Sequence, residues 1–591
     1  MVDLTAKPFY LKDEDIAWVN NTIANMTIEE KIGQLFFNMG SSRDEAYLKD
    51  VVNNYHIGGV RYNPANAQAV YEQNRILQEN SKIPLIIACN VEAGGDGACL
   101  DGTHIGANVK IGAANDTKYA YQMGYVSGVE GAAIGCNLSF APVVDINQNW
   151  RNPVISRRCF GNDADKVLDN SLAYFKGIHE TEGFCCAAKH FPGDGLDERD
   201  QHIANSVNHV SCEEWDQTYG KVYQGLIDEG LEAIMAGHIM QPAYTRYFHP
   251  DIKDEDIMPA TLSKELLTDL LRGKLGFNGM IVTDASHMVG LTCCMKRSEV
   301  LPHAIAAGCD MFLFFNELDE DFGYMMDGYR NGTISDERLE EALLRILALK
   351  ARMGLHQKAK LDIMPPREGL SVIHCQAHQQ IADEIAERAI TLVKNKQDIL
   401  PITPETYKRI LIVYVKGLSA GGIGAMMNLN TGKNAAEKLQ EQLEKRGFEV
   451  ELYESPTDRI AREAKAGKPQ AELMNMYFAG KTRIDEFREH QDLIITLAEV
   501  NGGFQVVERV AWSMTKGGGE IPWYVHELPV VVASVGHPFL LADVPQAQTY
   551  INCYDSKDNT IQALAAKLCG ESEFTGVDPV DAYCGMWDTH R

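Results

Sequence analysis

Eight short apolar runs, each followed by a stretch of amphipathic helical pattern, occupy the first 355 residues of the chain. They are Ile32–Asn38, Ile57–Tyr62, Pro84–Cys89, Asn137–Val143, Phe184–Lys189, Ala233–Gly237, Met280–Thr283 and Asp310–Phe315. Near-continuous apolarity, rather than strict alternation, is what a parallel strand covered on both faces requires. Eight strand–helix units in succession predict a closed (β/α)8 TIM-type barrel rather than an open sheet. A helix over Asp336–Gly354, with Gly354 as its stop, closes the region.

After the barrel, His356–Gly369 carries Pro365-Pro366 and mixed charge and reads as an interdomain crossing. Strand-like runs then resume at Arg409–Val415, Glu449–Tyr453, Leu493–Leu497, Val530–Val535 and Thr549–Cys553, the pattern of a smaller α/β layered (sandwich) domain. The expected division is a catalytic barrel over residues 1–357, a linker over 358–371 and a C-terminal α/β domain over 372–591. The Gly-rich pieces at 416–422 and 517–519 lack the spacing of a phosphate loop and read as turns.

The formal charge of −27 repels phosphate backbones and anionic bilayers, so nucleic-acid and membrane partners are not expected. No apolar run approaches the length of a membrane span, and the N-terminus lacks a basic-then-apolar secretory pattern. The 14 cysteines show no framework spacing, and several (Cys89, Cys185, Cys186, Cys309) sit inside apolar runs as small hydrophobes. Neither Cys-x-x-Cys nor His-Glu-x-x-His occurs, so no metal or other cofactor is expected. Reduced thiols and no leader predict a cytoplasmic protein.

Where the strand candidates run out they meet polar groups: Asn38, Arg61, Asn90 with Glu92, Asp145, Lys189 with His190, His238, Asp284 and Asn316. Loops at the C-terminal ends of barrel strands converge on one mouth, so these residues predict a shared active site. The densest segment is the loop from Lys189 to His202. In it Asp200 and His202 lie two apart, a spacing at which an Asx-type turn brings the carboxylate onto an imidazole nitrogen and raises its basicity. Asp284 leaves a buried strand, and Lys189, His190 and Arg158 are cations able to hold its charge. On spacing alone, Asp284 reads equally as a catalytic carboxylate or as a structural one paired across the barrel.

These residues resemble glycoside hydrolase family 3, specifically its β-N-acetylglucosaminidase branch. The resemblance is carried by Met26–Leu35, Phe140–Asp145, Arg158–Gly161, the block from Leu262 through Asn278-Gly279 to Asp284, and Ile390–Asn395. It implies a retaining exo-β-N-acetylhexosaminidase acting by double displacement on a carbohydrate substrate. Asp284 is then the nucleophile, His202 the acid/base and Asp200 its partner. Lys189, His190, Arg158, Asn90 and Glu92 are the implied sugar-binding residues.

Four departures stand out. Asn90-Val91-Glu92-Ala93-Gly94-Gly95 has an amide where the family motif begins with aspartate, and Asp96-Gly97-Ala98-Cys99 stands where arginines follow. Asp194 replaces the usual histidine of the Lys-His loop, and Gln201 the serine between Asp200 and His202. Alternatives are a β-glucosidase or other β-hexosidase of the family, in which a second-domain glutamate such as Glu499 or Glu520 is the acid, a phosphorolytic variant, and a non-catalytic sugar-binding protein. His238 and His287 read as packed or supporting histidines.

Overall fold

The computed structural model describes residues 2–417, 432–479, 483–501, 506–512 and 519–591. Most of the Gly-rich pieces, 418–422 and 517–518, therefore lie outside the described residues. Compactness divides the chain into two units, Met1–Asn108 with Asp116–Ile381, and Val109–Asn115 with Ala382–Arg591. The stretch read as a linker runs through short 3-10 turns at Lys360–Asp362 and Arg367–Val372 and counts with the first unit.

The first unit is built on eight parallel strands: β1 Phe36–Gly40, β2 Gly59–Tyr62, β3 Ile86–Cys89, β4 Leu138–Ser139, β5 Cys185–Phe191, β6 Ala233–Ala236, β7 Met280–Ala285 and β8 Met311–Leu313. Each pairs with its neighbours in chain order, and β8 returns to β1 to close a barrel. The first strand begins later than its apolar run suggests. Thr27 and Glu30 form a reciprocal capping box that starts a helix at Ile28, and this helix claims Ile32. β4 is shorter than its run because Pro142 has no N–H for the ladder, although Val143 still bridges to Lys189.

Inside the barrel the Phe37 ring meets that of Phe140, just past β4, at 5.6 Å between centroids. β1 and β4 are not neighbours, so this contact crosses the lumen and fixes which side of β1 faces inward. Gly59, the register partner of Phe37, has no room for a side chain: a Cβ there would lie 2.5 Å from the phenyl ring.

At the opposite end of the strands from the mouth, Asp310 is fully buried and accepts from Ile281 N (2.9 Å) and Arg272 (2.8 Å), with Arg338 and Arg345 also paired to it. Burial alone would raise the pKa of Asp310, but the three guanidiniums hold it below the usual carboxylate range. The cluster ties the C-terminal helix of the barrel, Asp336–Arg352, to β7 and β8.

The second unit holds a six-stranded sheet: β9 Thr391–Asn395, β10 Arg409–Lys416, β11 Glu449–Leu452, β12 Leu493–Glu499, β13 Val530–Ser534 and β14 Thr549–Asn552. Their order is β9-β14-β13-β12-β10-β11, parallel throughout except for β9 against β14. Alternation splits the sheet's side chains between two cores. Ile410, Ile412, Leu493 and Ile495 enter one, and Leu411, Val413, Ile494 and Val532 the other. This is the layered domain the strand pattern predicts. Among the described residues no helix is long and apolar enough to cross a membrane.

Candidate active site

The mouth of the barrel is organised around buried and half-buried charges. Glu92, three residues past β3, receives Arg158 through two hydrogen bonds of 2.9 Å and Lys189 Nζ at 2.5 Å. Burial alone would push the pKa of Glu92 up, yet Arg158 and Lys189 hold it well below the carboxylate range. Lys189 itself has a lowered pKa, because burial outweighs the attraction of Glu92. The next residue on β5, His190, presents Nδ1 to Asp145 Oδ2 at 2.7 Å, and its Nε2 lies 3.4 Å from Arg158. Asp145, just past β4, is wholly buried and also accepts the amides of His190 and Asp194.

The loop after β5 carries the second group. His202 N donates to Asp200 Oδ1 (2.8 Å), which is the Asx-type turn, and the same oxygen lies 2.6 Å from His202 Nδ1. Asp200 is fully buried, whereas a third of the His202 side chain (32%) remains exposed. A carboxylate on Nδ1 fixes the proton there and places the neutral ring's lone pair on Nε2. Gln201 and Asp194, both departures from the family pattern, meet each other: Gln201 Nε2 donates to Asp194 Oδ2 (3.1 Å), while Gln201 Oε1 accepts from His238 N (2.9 Å). Burial, reinforced by the charge of Asp145, pushes the pKa of Asp194 up to about 6.

Asp284 stands half-buried near the end of β7 and accepts from Ala285 N at 2.7 Å. Burial would raise its pKa, but the imidazoles of His190 and His238, with smaller help from the Ala285 amide and His202, keep it below the usual value. Asp284 in turn stabilises the charged forms of Arg158 and Lys189, so the sequence-predicted residues form one electrostatic unit. Asn90 directly follows β3 and makes no side-chain hydrogen bond among the described residues.

His238 is packed, its ring held by Thr261 Oγ1 (2.9 Å) and the Ala285 carbonyl (3.0 Å), whereas His287 is exposed at the rim. Asn38 leaves the mouth altogether: it points outward and donates to Tyr47 on the following helix. In the second unit Glu499 accepts from Tyr414 and from Ser556 Oγ (2.7 Å). Sequence reasoning placed Asp145 at the mouth and Asp194 in its loop but missed the buried anchor Asn152. Asn152 Nδ2 bonds Asp194 Oδ1 at 2.8 Å, a partnership between residues 42 apart that spacing does not signal.

A closed parallel barrel with buried charges gathered beyond the C-terminal ends of its strands has the layout of a barrel enzyme's active site. Residues 27–349 match the family described as the glycosyl hydrolase family 3 N terminal domain. The chain is 41% identical over 591 residues to the β-N-acetylglucosaminidase/β-glucosidase of Cellulomonas fimi, covering 100% of each. Among solved structures it is similar to β-glucoside phosphorylase BglX, with 37% identity, a TM-score of 0.88 and 99% of both chains covered. A family 3 β-N-acetylglucosaminidase from Paenibacillus sp. str. FPU-7 shares the fold at 24% identity and a TM-score of 0.75, covering 94% of this chain and 99% of that one. The chain belongs to glycoside hydrolase family 3 and is a glycosidase.

Proposed function

We propose that this enzyme cleaves terminal β-linked hexosides, N-acetylglucosaminides among them, by double displacement with retention. The observation that carries the reading is the 2.6 Å contact between buried Asp200 and His202 on a loop of the same mouth as Asp284. In the first step Asp284 attacks the anomeric carbon as the glycosidic C–O bond breaks, and His202 Nε2 gives its proton to the leaving oxygen. The lowered pKa of Asp284 keeps it anionic for this step. In the second step His202 takes the proton of the incoming acceptor, and the bond to Asp284 breaks. Glu92, Lys189, His190, Arg158 and Asn90 hold the sugar.

The test uses 4-nitrophenyl β-N-acetylglucosaminide and β-glucoside with the wild type, Asp284→Ala and His202→Ala. Asp284→Ala is expected to lose roughly 10^4-fold or more in kcat/KM on whichever substrate the wild type accepts. His202→Ala loses about 10^2- to 10^4-fold, with azide rescuing the second step. Wild type inert on both substrates, or Asp284→Ala at full rate, overturns the reading.

A second reading concerns the acceptor. An imidazole acid/base is neutral once it has given up its proton, whereas a carboxylate would repel an anionic acceptor. That choice, with the likeness to a β-glucoside phosphorylase, favours inorganic phosphate as an acceptor beside water. Detection of a sugar 1-phosphate when phosphate is present decides it.

A further inference from the structure

The lysine and arginine side chains already placed in the mouth have a carboxylate partner, with one exception. Glu92 holds Arg158 and Lys189, Asp145 holds His190, and Asp200 holds His202. Arg61 has no ion-pair partner among the described residues; its Nη1 donates only to Met39 Sδ at 3.5 Å, a weak acceptor.

Its direction follows from strand geometry. Phe37 faces the lumen, because its ring reaches Phe140 across the barrel. Side chains alternate along a strand, so Met39 faces inward as well. The register pairs Phe37 with Gly59 and Met39 with Arg61, which places Arg61 on the lumen side of β2, close to the C-terminal mouth. On the other side it pairs with Ala88, and Asn90 beyond that is neutral; Glu92 acts on it electrostatically without an ion-pair contact, its oxygens being held by Arg158 and Lys189. Burial lowers the pKa of Arg61, and Arg61 is among the cations that depress His287 at the rim, after burial and His202. A guanidinium that is half-buried without an anion is a costly arrangement, and one that a ligand anion relieves.

We propose that Arg61 reads an anionic group brought by a reactant: the oxygens of inorganic phosphate arriving as acceptor, or a carboxylate or phosphate carried on the sugar. The proposal rests on the reading that a β-hexoside is cleaved in this mouth. A guanidinium offers paired donors to either group, and Arg158, already spent on Glu92, is not free to do so.

Ratios measured within one protein cancel any loss of folded enzyme, so the test compares ratios in wild type, Arg61→Met and Arg61→Lys. In the acceptor arm, the yield of sugar 1-phosphate over free sugar from a 4-nitrophenyl β-hexoside at fixed phosphate should fall about tenfold or more in Arg61→Met and recover partly in Arg61→Lys. In the sugar arm, any wild-type preference for a 4-nitrophenyl β-glucuronide or 6-phospho-β-glucoside over the plain β-glucoside should collapse by a similar factor. A collapse in either arm supports the proposal and identifies the source of the anion. Unchanged ratios in Arg61→Met, or a wild type showing neither phosphate use nor such a preference, overturn it. If the wild type cleaves no β-hexoside, the underlying reading fails separately. Calorimetric titration with inorganic phosphate then judges Arg61: weaker binding in Arg61→Met supports the proposal, and equal or absent binding in the wild type overturns it.

Discussion

Gln201 helps to hold the loop that carries Asp200 and His202. Its amide bridges Asp194 and the backbone of His238, so it positions the turn that carries Asp200 and His202. Gln201→Ser removes both contacts. It should lower kcat about tenfold while leaving the KM for an aryl glycoside nearly unchanged, and Gln201→Asn should recover part of the loss. Equal loss in both parameters from both variants would mean that the residue only supports the fold. Glu92 gives a prediction in pH. Its folded pKa is depressed by Arg158 and Lys189, so its contribution to stability is complete above the unfolded value, near 4.3, and is lost as pH falls through the folded value. Thermal melts below pH 4 should therefore fall more steeply for the wild type than for Glu92→Gln, and parallel curves would contradict the pairing. At this scale Asp200 with His202 was legible in the sequence because the contact is local. Glu92 with Arg158 spans 66 residues and exists only once the barrel has closed. Asn38 misled because polarity at a strand end does not say which face the side chain takes, and only register decides that.

At the scale of elements, apolar runs located the eight barrel strands but not all their limits. A capping box took the start of the first run into a helix, and Pro142 cut short the fourth strand's ladder. Both signals were in the sequence, but each acts by competing for backbone hydrogen bonds rather than through hydropathy. The arginine cluster on Asp310 was not legible, since its members come from three separate elements. Removing one partner of a buried charge network leaves the others uncompensated, so Asp310→Asn should cost about 3–5 kcal/mol. Denaturant melts check this, and a loss below about 1 kcal/mol would show that the cluster is solvated in solution.

At the scale of the molecule, each unit has its own sheet, and the sheet of the second divides two apolar cores. Such a chain should unfold calorimetrically in more than one transition, with Asp310→Asn moving only the one that belongs to the barrel. A single transition that shifts as a whole would contradict independent cores. The closed barrel and the two-part plan followed from the run pattern, whereas the order of the second sheet and the placement of Val109–Asn115 with the later residues did not. That short segment, helical over Asn108–Ala114, is buried along its whole helix, and the sequence holds no cue to which unit it belongs.

In the proposed reaction Asp284 forms the bond to the sugar. Incubation with a 2-deoxy-2-fluoro β-glycosyl fluoride, followed by proteolysis and mass spectrometry, tests it most directly, because the slow second step lets the covalent sugar accumulate. One sugar adduct is expected, on the peptide containing Asp284 and absent from Asp284→Ala. An adduct on another carboxylate, or turnover to a product of inverted anomeric configuration, would contradict it.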